Sequence, residues 1–207
     1  WNFYFRGKVT DGNHLLPPPK ELRADKNGEL YLKSFHGFDG RVSNTTEGQD
    51  LLPLETLFGR DMAWSRAEEG VAQFGCDSGF EIFLLPGEHR NCRLSGELHM
   101  DGGGKIGLVF RLTPEGDGYY LSLDLKKGLA QLRSWGTQVG APGEGAFRYQ
   151  PLQASFYESH AGPHPFSLIS YGAYLEFSLD HRVLLTLADQ DYQEGRVGFY
   201  AESAALR

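Results

Sequence analysis

A chain of 207 residues is long enough for one large sandwich or two small domains, and 27 glycines, ten tyrosines and fourteen phenylalanines beside only two methionines suit short strands joined by many turns. A formal charge of -7 scattered along the chain argues against a nucleic-acid groove or an anionic membrane surface as the partner. No apolar run approaches the ~18 residues at which a transmembrane helix becomes plausible, and no signal-peptide pattern opens the chain.

Taken in order, Trp1 to Val9 fits one alternating strand, and Leu15-Leu16-Pro17-Pro18-Pro19 follows as an extended connector, because proline cannot donate to a ladder. Residues 1–21 therefore read as a strand and linker leading out of a preceding domain, and 22–207 as the module itself. A chain that opens on Trp1 is expected to have been cut from a longer one. Two short strands flank a Lys26-Asn27-Gly28 turn, with Leu22 and Ala24 on the first and Leu30 and Leu32 on the second. Between Gln49 and Glu69 the spacing of Leu51, Leu54, Leu57 and Phe58 is helical, but Pro53 and Gly59 confine it to a short helix or a loop.

Strands are expected at Phe80 to Pro86, Asn91 to Met100, Ile106 to Leu112, Tyr119 to Leu125, Leu129 to Trp135, Pro165 to Tyr171, Ala173 to Asp180, Arg182 to Leu187 and Arg196 to Ser203. Turns fall at Asp180-His181 and Glu194-Gly195. Gly136 to Pro165 reads as one long irregular loop. Serial strands of this kind describe an all-β fold, a two-sheet antiparallel sandwich of the concanavalin-like jelly-roll type.

The meander from Lys105 to Trp135 allows faces to be counted. A two-residue Lys127-Gly128 turn sets Asp124 against Gln131, Ser122 against Arg133 and Tyr120 against Trp135, while Leu121, Leu123 and Leu125 meet Ala130, Leu132 and Ser134 on the opposite, apolar face. A Pro114 to Asp117 loop then places Arg111 beside Tyr120, so that Arg111, Tyr120 and Trp135 form a row on the face away from the core. Sugars stack their C–H faces on aromatic rings and give their hydroxyls to planar polar groups, so Tyr120 and Trp135 with Arg111, Arg133 and Asp124 make a candidate carbohydrate platform. Tyr200 and Glu202 share the outward phase of the last strand and extend it if that strand is adjacent. The bland alternative stays open, that these are ordinary cross-strand partners on a solvated sheet face.

Other motifs are weaker. Cys76 and Cys92 are either a hairpin disulfide or two reduced thiols. His160 and His164 have i, i+4 spacing, but Gly162, Pro163 and Pro165 forbid the helix that would make it useful to zinc. No cofactor is expected; Asp189 with Asp191 is the pair that would hold a structural calcium ion if one were bound. Asp101 to Lys105 is a glycine-rich turn without the ending of a phosphate loop, and Asn44-Thr45-Thr46 matches a glycosylation sequon.

Leu16 to Ser34, LPPPKELRADKNGELYLKS, resembles the opening of the C-terminal β-sandwich module of glycoside hydrolase family 32, the invertases, inulinases and levanases. Leu132-Arg133-Ser134 is similar to that module's Leu-Asp-Arg-Ser strand. Leu175-Glu176-Phe177, within Ala173 to Leu187, partly matches its Val-Glu-Val-Phe hairpin, and Gly195 to Ser203 resembles its closing strand and that of related concanavalin-like carbohydrate-binding domains. The resemblance spans most of the chain through degenerate motifs. It implies a fructan-binding sandwich, or one that packs on a catalytic propeller without binding sugar, within a parent glycosidase. It does not bring catalysis: the family's Asp nucleophile, Arg-Asp-Pro and Glu-Cys motifs are absent, and Arg60-Asp61-Met62 copies the second only by chance. Nor does spacing fix two carboxyl groups about 5–10 Å apart across a glycosidic bond. A stand-alone concanavalin-like glycosidase remains the weaker alternative, and secreted and cytoplasmic settings both remain open.

Overall fold

The computed structural model describes residues 4–5, 18–68, 71–101, 103–136, 148–160 and 162–206. In chain order the strands are β1 (Tyr4–Phe5), β2 (Glu21–Ala24), β3 (Leu30–Lys33), β4 (Glu55–Thr56), β5 (Ala63–Glu68), β6 (Val71–His89), β7 (Cys92–Asp101), β8 (Lys105–Leu112), β9 (Gly118–Asp124), β10 (Leu129–Gly136), β11 (Arg148–Phe156), β12 (Pro163–Tyr171), β13 (Tyr174–Leu179), β14 (Arg182–Ala188) and β15 (Gly195–Leu206). The back sheet runs β1-β14-β13-β12-β7, and the front sheet runs β11-β10-β9-β8-β15-β6 with β4 and β5 added to β6. They join at one corner, where Ala205 and Leu206 pair with Asp101 and Met100. This is the all-β, two-sheet sandwich expected from the strand pattern, antiparallel except where Tyr4 and Phe5 lie parallel to Leu187 and Ala188.

Alternation decides what fills the space between the sheets. Ile106, Leu108 and Phe110 of β8, Leu121 and Leu123 of β9, and Ala130 and Leu132 of β10 meet Leu168, Leu175, Phe177, Leu185 and Leu187 from the back sheet, all buried. Each such Leu or Phe contributes about 1.5–3 kcal/mol on leaving water, which makes this layer the main reason the two sheets stay together. No helix among the described residues is long and apolar enough to cross a membrane.

Several expectations change. Between Gln49 and Glu69 the short helix or loop is a 3-10 turn at Gly48–Leu51, but the same stretch also holds the unexpected strands β4 and β5. The stretch expected as one loop from Gly136 to Pro165 contains β11, which pairs with β10 along its length. Pro151 hid it: the register slips between Leu132 and Arg133, where Pro151 stands opposite Arg133, the edge-strand irregularity at which proline is tolerated. Residues 137–147 lie outside the described residues, as do 6–17, which hold most of the expected first strand and linker. Cys76 and Cys92 are free thiols, because β6 pairs with β15 and β5 while β7 crosses to the back sheet.

The β2–β3 hairpin docks on the back sheet's outer side. Asp25 pairs with Arg182 at 2.8 Å, Arg182 lies over the Tyr31 ring, and Lys20 lies 3.1 Å from Glu176 with both side chains buried. Ser34 donates to the other Glu176 oxygen at 2.5 Å, and the Tyr174 hydroxyl bonds to the same carboxylate.

Candidate functional site

The face of the front sheet turned away from the core carries a second apolar cluster of Ile82, Leu84, Val109, Leu112, Tyr120 and Tyr200, with Leu57, Phe80 and Trp135 packed on it. The Phe80 and Trp135 rings stand 5.7 Å apart between centroids. Their strands, β6 and β10, have β15, β8 and β9 between them. Four strand spacings of about 4.8 Å would put them about 19 Å apart on a flat sheet. The face is therefore concave, and its aromatic side chains reach toward one another across the hollow.

The registers differ from the expected ones by two residues, which preserves faces but changes neighbours. Four residues, Leu125 to Gly128, turn the chain, and the Asp124 carboxylate accepts the amides of Lys126 and Lys127, each at 3.1 Å. Ser122 then faces Gln131, Tyr120 faces Arg133, and Trp135 faces Gly118 rather than Tyr120. On the other side Val109, not Arg111, stands opposite Tyr120.

Arg111 is a correction of kind. Its φ is 53°, so the alternation breaks there: Leu112 takes the outward place and the Arg111 side chain turns inward. Buried to 1% exposure, the guanidinium donates to the carbonyls of Tyr192 (2.9 Å), Gly172 (2.5 Å) and Arg90 (3.3 Å). Burial lowers its pKa, and the neighbouring Tyr119 hydroxyl opposes that. The expected row of Arg111, Tyr120 and Trp135 does not exist.

The remaining residues do share the concave face. Tyr120 and Tyr200, at 4% and 5% exposure, are its floor rather than stacking surfaces, and burial raises both phenol pKa values. Tyr200 lies over Gly107, where a Cβ would come within 2.6 Å of the ring and 1.8 Å of the Leu121 carbonyl oxygen; glycine is what lets the floor close. Trp135 is half-buried, its ring 4.7 Å from that of Tyr120, and the Tyr192 hydroxyl donates to its carbonyl at 2.9 Å. Arg133 donates to Gln131, and its guanidinium lies 5.2 Å from the centre of the Tyr149 ring, which is 58% exposed. Its Nε is buried and has no acceptor among the described residues. Lys105 and Glu202, opposite one another on β8 and β15, form an accessible ion pair at 3.2 Å.

Sequence reasoning missed Tyr149, which is set opposite Trp135 by the strand hidden in the long loop. It also missed Glu81, fully buried, whose carboxylate accepts the amides of Phe58 (2.9 Å), Arg60 (2.8 Å) and Ile82 (2.8 Å). That carboxylate fixes the 57–60 segment beside the hollow, where Phe58 packs edge-on against Phe80 at 5.4 Å. A buried glutamate flanked by Phe80 and Ile82 was the available signal, because an unpaired charge is not left in an apolar strand.

Of the pair that would hold a calcium ion if one were bound, Asp189 is buried and accepts the Tyr119 hydroxyl (2.5 Å) and the Asp191 amide (3.0 Å), the arrangement of an Asp-stabilised turn. Metal-ligand side chains converge elsewhere among the described residues, at His160, His164 and Asp180.

No family model matches this chain, and no curated protein matches it in sequence. Solved structures do. A carbohydrate-binding module, CBM66, from Bacillus subtilis aligns with a TM-score of 0.60 at 15% identity, covering 76% of this chain and 92% of that one. A protein of unknown function with a galectin-like fold, also from Bacillus subtilis, aligns with a TM-score of 0.54 at 13% identity, covering 76% and 87%. At these identities the likeness establishes the shared sandwich fold.

Proposed function

We propose that this chain is a non-catalytic carbohydrate-binding sandwich, that it takes a fructan-type glycan on the concave face of the front sheet, and that its parent is a family-32-like glycosidase. The observation that carries the reading is the convergence there of Trp135, Tyr149, Arg133, Gln131 and the Lys105–Glu202 pair around an apolar floor. Trp135 and Tyr149 offer ring surface for sugar C–H groups; Arg133, Gln131, Lys105 and Glu202 offer donors and acceptors for hydroxyls. The fold shared with a carbohydrate-binding module supports the class of ligand, and the family resemblance in sequence supports fructan and the parent. Carboxylates near the face are already engaged: Glu202 by Lys105, Asp124 by its turn, Glu81 by three backbone amides. That favours binding over hydrolysis.

The test is calorimetric titration with levan, inulin and sucrose. Trp135→Ala and Arg133→Ala should each weaken binding by about tenfold or more, the ~1.4 kcal/mol scale of a central contact, with unchanged circular dichroism. A flat titration against every glycan would remove the reading.

A second reading, packing on a catalytic propeller, is favoured by one feature. An apolar groove opens where β6 and β7 diverge, lined by Leu52, Phe74, Leu85, Leu94, Phe166 and Phe199. If it is a domain interface, separately expressed propeller and module will associate, and substitution of Leu94 by aspartate will prevent it.

A further inference from the structure

The i, i+4 pair of histidines, set aside for lack of a helix, is brought together by other means. His164 sits at the start of β12 opposite Leu98, fully buried. The two-residue turn between β13 and β14 has both Asp180 (φ 51°) and His181 (φ 62°) in the left-handed region, and the Asp180 amide donates to the Pro165 carbonyl at 2.8 Å. That turn delivers the Asp180 carboxylate to His164 Nδ1 at 2.8 Å and to His160 Nε2 at 3.5 Å, through the same oxygen, Oδ2.

The ring nitrogens of His164 make the arrangement informative. Its Nε2 lies 3.2 Å from the His160 carbonyl oxygen, which can only accept, so Nε2 carries the proton. In the neutral ring the Nδ1 lone pair then points at a carboxylate oxygen. Two electron pairs facing each other at 2.8 Å require positive charge there, either a second ring proton on the line between them or a cation seated to one side of it that draws the donors slightly apart. A backbone carbonyl holding one ring nitrogen so that the other is presented is also how proteins orient histidine toward a metal. The third donor lies alongside: the His160 and His164 rings are 3.9 Å apart, and all three ligand atoms lie within 4.8 Å of one another. Around a tetrahedral zinc ion with ligand distances of about 2.0–2.2 Å, donors stand about 3.3–3.6 Å apart, the separation of His160 Nε2 from Asp180 Oδ2 at 3.5 Å, and His164 Nδ1 at 2.8 Å would need to draw back by about 0.5 Å. His160 and Asp180 side chains are 50% and 29% exposed, so an ion has a path in and water a place to complete the coordination.

We propose that His160, His164 and Asp180 bind a single transition-metal ion of the zinc class. Two imidazoles and one carboxylate suit Zn²⁺ and disfavour Ca²⁺ and Mg²⁺, which call for oxygen ligands. The ion would clip the segment before β12 to the β13–β14 turn.

The test uses tag-free protein, stripped with chelator, titrated with ZnCl₂ and separately with CaCl₂. One zinc per chain is expected, with no calcium response at equal concentration. Because His160 and Asp180 reach solvent, His160→Ala and Asp180→Asn should fold, as circular dichroism will verify, and each should weaken zinc binding at least tenfold. The proposal is overturned if zinc uptake stays well below one per chain, or if uptake is unchanged in both variants. Loss of thermal stability in Asp180→Asn without any zinc uptake by the parent protein would identify an imidazolium–carboxylate pair alone, and overturns it equally.

Discussion

Arg111→Ala separates a binding role from a structural one. In the folded protein the guanidinium closes two short hydrogen bonds, to Gly172 and Tyr192, and a longer one to Arg90, joining the end of β8 to the turn before β13 and the segment before β15. Bonds from a charged donor contribute about 1.5–3 kcal/mol each, so the two short ones suggest about 3–6 kcal/mol. Truncation also removes a buried cation whose Nε finds no acceptor among the described residues, which returns part of that loss. A net destabilisation of about 3 kcal/mol is expected, and for a domain of this size it lowers Tm by about 6–12 °C. Urea denaturation followed by tyrosine and tryptophan fluorescence measures it. Trp135 is linked to the Arg111 side chain through Tyr192, and it keeps its packing on Tyr120 and Phe80. Glycan affinity measured well below the transition should therefore change by less than about threefold, roughly 0.6 kcal/mol. Binding abolished at an unchanged urea midpoint would refute this reasoning and return Arg111 to the binding face.

Two further outcomes follow from buried groups. Lys20→Met strands the Glu176 carboxylate against Tyr174 and Ser34 and should cost about 3–5 kcal/mol in urea titration, whereas Lys20→Met with Glu176→Met should recover most of it; equal losses in both would mean that the pair is not the anchor. Burial pushes the Cys76 and Cys92 thiols above their ordinary pKa, so both should resist a thiol reagent at neutral pH and react in denaturant without reductant, two per chain; none reacting would establish a disulfide.

The fold was legible wherever period-2 alternation ran uninterrupted. Leu121, Leu123, Ala130 and Leu132 were placed on the core face from counting alone, and a two-residue register error could not move them, because an even slip preserves the face. What stayed hidden were strands whose local chemistry reads as loop. β6 runs for nineteen residues through Asp77, Ser78 and Gly79, and Gly79 has a φ of 78°. Its first part is held by pairing with β5 and β15 rather than by its own propensity. β11 was obscured in the same way by Pro151.

The site was legible to the same extent and failed for a different reason. Counting faces assumes that every residue takes the extended conformation, and one residue with positive φ reverses the assignment of everything beyond it. Arg111 is that residue on β8, and its long polar side chain made it attractive as a sugar ligand for the property that lets it serve as an internal brace. Curvature was equally invisible. A flat sheet would have left Tyr120 and Tyr200 as open stacking rings, whereas the bend that brings Phe80 to Trp135 buries both. The groups left accessible include Arg133, Gln131, Tyr149, Trp135 and the Lys105–Glu202 pair. A ligand on this face must therefore meet charge and ring edges around an apolar floor, and affinity should respond more to Arg133 and Trp135 than to Tyr120, whose substitution would act through the floor.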